Sequence, residues 1–185
     1  MKIRVGMLVV AAVVALAGCG GGGHGRDIND PSNSLVFGYV DMADAPTKVT
    51  GAQIRQVAPP TDKPYWGTDV KDGLFYTYYL PPGSYQLATL HGSSFLRGEH
   101  QYNLGRQGGG DTAVRIDKPG IYFLGAYKYK TVRTGMFEQS KFGIERVSTP
   151  NEAELLQKLL DTDAEVKNSA WADKIRQRIA RLKKK

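Results

Sequence analysis

The chain has 185 residues, 41% of them apolar, with 22 Gly, 10 Tyr and a formal net charge of +7. Seven of the 25 Lys and Arg residues crowd into the last twelve positions and two more into the first four, so the remainder is slightly acidic. That distribution argues against a nucleic-acid-binding domain. A single cysteine, Cys19, excludes an intramolecular disulfide, so the body must be stable through its core alone, which a chain of this length can build.

Lys2 and Arg4 precede the 13-residue apolar run Val5–Ala17, and a glycine run begins just after it. As a helix rising ~1.5 Å per residue the run spans ~20 Å, short of the ~30 Å hydrocarbon core. A removed export signal over residues 1–18 is therefore expected rather than a transmembrane span. The tetrapeptide Leu16-Ala17-Gly18-Cys19 resembles the lipobox of bacterial lipoproteins: a branched apolar residue, two small residues, then Cys. The resemblance implies cleavage after Gly18, lipid on Cys19, and attachment to a membrane through that lipid. Gly20 stands where an Asp would favour retention on the inner membrane of a Gram-negative envelope, so the resemblance points to the outer membrane. Residues 19–33 then read as a Gly-rich tether. With an r.m.s. reach of ~5–6 Å × √n, it places the body ~20 Å from the lipid surface.

From Ser34 the pattern turns to short apolar and aromatic runs between turn residues. Residues 34–42, 50–57, 73–80, 84–91, 93–96, 99–105, 112–120, 120–130 and 138–147 read as strands or shorter strand candidates, and 106–111 as a turn. APPTDKPYWG (58–67) reads as a loop because proline cannot donate to a ladder. Pro81-Pro82-Gly83 reads as the turn of a hairpin joining 73–80 to 84–91. Strands at this spacing, with no helical period between them, predict a mainly β fold: an antiparallel β-sandwich over residues 34–147. The run from Leu80 to Leu87, PPGSYQ between two leucines, resembles a hairpin of transthyretin-like and carboxypeptidase-regulatory-like β-sandwiches. The whole arrangement resembles a group of uncharacterised bacterial lipoproteins, and that likeness implies a fold but no activity.

Residues 148–185 predict two C-terminal α-helices. Thr149 suits an N-cap, Pro150 the first helical position and Glu152 a capping box. Leu155, Leu156, Leu159 and Leu160 make one apolar face. After a break near Asp161–Asp163, Trp171, Ile175, Ile179 and Leu182 make a second stripe with basic residues on the other faces. The helices are expected to pack these stripes on the body. Alternatively, Lys174, Arg178 and Arg181 contact an anionic surface such as phospholipid or lipopolysaccharide.

The residues offer little catalytic chemistry. His91, Glu99 and His100 could form a two-histidine, one-carboxylate set with Asp41 in reserve, but their spacing follows no metal motif, and solvent-exposed strand ends are the expectation. Asp41 and Asp44 fit turn formers better than paired acids. Gly108–Gly110 lacks the Lys-Ser/Thr pair of a phosphate loop, and no Gly-x-Ser-x-Gly elbow occurs. Tyr65 and Trp66, in the Pro-rich loop, remain as candidate ligand-binding aromatics, while Tyr76, Tyr78, Tyr127 and Tyr129 read as half-buried strand residues. The expected function is a membrane-anchored envelope lipoprotein acting as a non-enzymatic binding or scaffolding module. It would have no cofactor and no nucleic-acid partner, and an envelope protein or glycan as partner. The alternatives are a metal-dependent envelope hydrolase and a protein contacting lipid or lipopolysaccharide through its basic C-terminal helix.

Overall fold

The computed structural model describes residues 27–94, 98–104, 113–132 and 141–184. The export signal, the lipobox with Cys19, the turn at 106–111 and parts of the strand candidates 93–96 and 138–147 lie outside the described residues. Nine strands are described: β1 (Leu35–Asp41), β2 (Lys48–Ala58), β3 (Tyr65–Lys71), β4 (Leu74–Thr77), β5 (Gly83–Ser94), β6 (Gly98–Asn103), β7 (Val114–Ile116), β8 (Ile121–Val132) and β9 (Lys141–Val147). Helices α1 (Glu152–Thr162), α2 (Ala164–Lys167) and α3 (Trp171–Leu182) follow. None of the described helices is long and apolar enough to cross a membrane.

The fold is mainly β, but its strands make one curled, mixed sheet, half of a barrel, instead of the expected antiparallel sandwich. Their order is β6-β5-β2-β3-β4-β1-β8-β9, with β7 paired to β5. All pairs are antiparallel except β1 with β8. A second sheet is not needed, because the curl closes over one core and helices cover the outside. Inside the curl, Val36, Ile54, Phe75, Tyr85, Leu87 and Leu90 form one cluster with residues of almost every strand. On the outer face, Leu35, Phe37, Leu74 and Ala126 meet the apolar stripes of α1 and α3. β1 is thus buried on both sides, which explains its unbroken run LVFGYV.

Parallel β8 keeps both faces in register through one irregularity. Phe37 pairs with Phe123 but Gly38 pairs with Gly125, so Leu124 is extra. The bulge resets the alternation: Phe123 and Ala126 face the helices, whereas Leu124 and Tyr127 face the inner core. Gly125 has φ +126, and the Tyr127 hydroxyl donates to the Leu124 carbonyl at 2.6 Å across the bulge.

Three sequence expectations are corrected. Tyr65–Lys71 is a strand, because Pro64 ends the loop and Asp72-Gly73 closes a tight hairpin to β4 with φ of 49° and 80°. Pro81-Pro82-Gly83 joins β4 to β5 but makes no hairpin, since β4 pairs with β1 and β3, and β5 pairs with β2, β6 and β7. The Tyr85 hydroxyl donates to the Pro81 carbonyl at 2.7 Å and fixes this corner between strands that never pair. The C-terminal region has three helices, not two, and α1 begins two residues later than Thr149 implied. Asn151 is the N-cap, and Glu154 completes its capping box.

The apolar stripes pack as their spacing required. Leu155, Leu156, Leu159, Leu160, Trp171, Ile175 and Ile179 are all buried. Residues 27–33, expected to belong to the tether, are fastened to the body. The Trp171 indole donates to the Ile28 carbonyl at 3.0 Å, and the Ala170 amide donates to Asn29 Oδ1 at 2.9 Å.

Candidate functional site

β4 carries the sequence LFYT and runs on into Tyr78-Tyr79-Leu80. Strand alternation sends Phe75 into the inner core and turns Leu74, Tyr76 and Tyr78 to the outer face. β3 pairs with β4 only at Val70–Phe75 and Lys71–Leu74, after which the two strands part. Thr68 bridges the opening by donating its hydroxyl to the Tyr76 carbonyl. The split is roofed by the junction of α1 and α2, leaving a cleft of about 880 Å³. That volume is within the range of ligand pockets, roughly 300–1,000 Å³.

The junction is set by one residue. Asp163 ends α1 and caps α2, its Oδ1 accepting from the Val166 amide at 2.8 Å. Its other oxygen accepts the hydroxyl proton of Tyr76. Tyr79 and Glu165 lie beside Tyr78 and hold its phenol in the protonated form. The rings make a shelf: Tyr76 stacks on Tyr78 with centroids 6.4 Å apart, and Tyr78 leans on Tyr79 at 4.3 Å. Asp69 and Lys71 form the β3 wall and Trp66 lines its far end.

Burial pushes the Tyr76 and Tyr78 phenols far above the ordinary tyrosine range. The hydrogen bonds and the charges of Asp163 and Glu165 act in the same direction. Both rings are therefore neutral hydroxyl groups at physiological pH. Among the described residues the cleft combines flat apolar rings with three carboxylates, Asp69, Asp163 and Glu165, against the single cation Lys71. Carboxylates only accept hydrogen bonds, so the lining suits a ligand that has an apolar face and carries O–H or N–H donors.

The sequence-nominated residues fall in several places. Tyr65 is 52% exposed, paired with Arg55, and lies outside the cleft. Trp66 is half-buried, packs against the inner core and borders the cleft. Lys174 places its ammonium 4.4 Å from the Trp171 ring centroid. Arg178 is turned inward, holding both oxygens of Glu152 at 2.8 and 3.3 Å. Arg181 is exposed. Asp41 accepts from the Ala43 amide at 3.0 Å, an Asx turn, and Asp44 pairs with Lys128 at 3.0 Å.

His91 and His100 border one cleft with Glu99 at the sheet edge. However, His91 pairs with Gln101 while His100 pairs with Gly92, one register step apart. Residues one step apart project from opposite faces of a sheet. His100 packs its ring on Tyr102 on the inner side, whereas His91 shares the outer side with Glu99. Among the described residues no group of three or more His, Cys, Asp or Glu is placed to hold a metal ion.

Sequence reasoning missed Asp163, Glu165 and the role of Tyr76, Tyr78 and Tyr79. The visible signal was the run of tyrosines. Their partners lie 87 residues further along the chain, and no local pattern links them. No family model matches the chain, and no curated protein or solved structure matches it significantly.

Proposed function

We propose that the protein is a lipid-anchored lipoprotein of the bacterial envelope whose half-barrel is a non-enzymatic binding module, with the tyrosine–carboxylate cleft as its ligand site. The position of the cleft carries this reading. Tyr79 lines it on one side and, on the other, borders the hollow beside Asp27, Asp30 and Asn33, where the chain enters the body. A site at the root of the tether meets ligands close to the membrane. The lipobox Leu16-Ala17-Gly18-Cys19 supports the anchor, and the Gly20 that follows supports the outer membrane. The acceptor-rich, aromatic lining supports a polyhydroxyl or amino-bearing ligand, with an envelope glycan as the first class to examine.

Two measurements test the reading. Labelling of growing cells with an alkyne fatty acid is expected to mark the native protein and to miss Cys19→Ala, which leaves the membrane fraction. Retained labelling in the variant overturns the anchor. For the cleft, nuclear magnetic resonance titration with envelope-derived saccharides is expected to shift resonances of Tyr78, Tyr79 and Glu165 and to be abolished in Tyr79→Ala. Shifts clustered elsewhere on the surface overturn the site.

A further inference from the structure

The solvent side of α3 is almost purely cationic. Lys174, Arg176, Arg181, Lys183 and Lys184 are exposed there, and Asp173 is the helix's one acidic residue. Asp173 pairs with Arg176 at 2.8 Å, and Arg178 is neutralised by Glu152 on α1. Lys174, Arg181, Lys183 and Lys184 have no opposing carboxylate within ion-pair distance among the described residues. The apolar stripe of Trp171, Ile175 and Ile179 is fully occupied by the body, so this helix cannot insert into a bilayer and presents charge alone.

A second observation places the charge. The described chain begins at Asp27, and the segment after it is fastened to the start of α3 through Ile28–Trp171 and Asn29–Ala170. From Cys19 to Asp27 there are eight residue steps. Even fully extended, at ~3.3–3.6 Å per residue, they reach at most ~29 Å. α3 itself is ~18 Å long at ~1.5 Å per residue. A lipid on Cys19 would therefore keep α3 within reach of the headgroups, at the end of the body where the chain enters.

We propose that the solvent face of α3 docks on anionic phospholipid headgroups and so orients the body on the membrane. The location rests on the proposed lipid anchor; the charge does not, and neither depends on the cleft. Juxtamembrane cations act additively and fall off within a Debye length, so the contact is salt-sensitive.

The test uses the mature chain from residue 19 with Cys19→Ser, so that no lipid contributes. It is sedimented with vesicles of phosphatidylcholine alone or with 30% phosphatidylglycerol, at ~50 and ~500 mM salt. Partitioning is expected to be at least ~100-fold stronger on the anionic vesicles and to vanish at high salt. Replacing Arg181 and Lys184 together by Gln is expected to lower it on the order of 30-fold while leaving the circular dichroism spectrum unchanged. Equal partitioning on both vesicle types, no binding to either, or indifference to the double substitution overturns the proposal. Each of these results leaves the anchor standing, because fatty-acid labelling of Cys19 reads that separately.

Discussion

The indole of Trp171 donates to the carbonyl of Ile28, 143 residues earlier in the chain, and this bond joins the first described segment to the last helix. Trp171 is 1% exposed and among the largest buried side chains. Trp171→Phe keeps most of the apolar contact but leaves the Ile28 carbonyl without its donor. A loss of about 1–3 kcal/mol is expected in urea unfolding. The same substitution should raise amide exchange at residues 28–33 more than in the strands, because Ile28 and Asn29 are fastened to the start of α3 through Trp171 and Ala170. Uniform exchange across the protein would show that the segment is held some other way.

Gly38 and Gly125 face each other across the parallel β1–β8 pair, and neither can carry a side chain. A Cβ on Gly38 would sit 2.5 Å from Phe75 Cζ. At Gly125 it would meet the Tyr127 hydroxyl at 2.6 Å, on a backbone with φ +126. Gly125→Ala cannot be relieved, because both the backbone and the bonded phenol would have to move. It is expected to cost about 3 kcal/mol or more. Gly38→Ala meets the Phe75 ring edge at 2.5 Å and, less tightly, the Gly125 carbonyl oxygen at 3.1 Å, so pairing it with Phe75→Leu should restore part of the loss. Thermal unfolding of the two single variants and the double variant checks this, with restoration expected at Gly38 alone.

Much of the fold could be read from the sequence where the signal was local. The stripes Leu155–Leu160 and Trp171–Ile179 pack as a 3.6-residue period demands. Individual strands such as Ile121–Val132 follow from β-branched and aromatic runs. Pairing was not legible. Pro81-Pro82-Gly83 looks like a hairpin turn, whereas the Asp72-Gly73 pair, with both residues at positive φ, is the true one. The parallel β1–β8 contact turns a sandwich into a half-barrel, and it depends on helices covering the outer face, which no strand pattern records. The cleft was hidden for the same reason: Tyr76 meets Asp163 only after the helices fold back.

Arg178 and Glu152 form the one ion pair that joins α3 to α1 among the described residues, with side chains 37% and 17% exposed. Two parallel N–H···O contacts give it more geometric definition than a single surface pair. Partial solvent exposure screens it, so a double-mutant cycle with Arg178→Gln and Glu152→Gln is expected to give a coupling of about 0.5–1 kcal/mol. The coupling should shrink at high salt. No coupling would mean that the apolar stripes alone hold the two helices together.

Tyr85 gives a pH dependence whose sign can be worked out. Burial raises its phenol from the ordinary 10 to about 12, while the hydroxyl donates to the Pro81 carbonyl. In the unfolded chain the group ionises near pH 10; in the folded protein it keeps its proton longer. Above pH 10 the unfolded state therefore binds fewer protons, and stability falls as pH rises until the folded group also ionises. The contribution is complete below about pH 10 and lost by about pH 12. Two pH units correspond to about 2–3 kcal/mol. Tyr76 and Tyr78 are raised further, so the alkaline decline extends beyond that window. Tyr85→Phe is expected to cost about 1 kcal/mol at pH 7, from the unpartnered carbonyl, yet to make the decline between pH 10 and 12 shallower by one phenol's share, with Tyr76 and Tyr78 keeping theirs. Urea unfolding at pH 8, 10 and 11 compares the slopes. Parallel curves for the native protein and the variant would show that another group carries the alkaline loss.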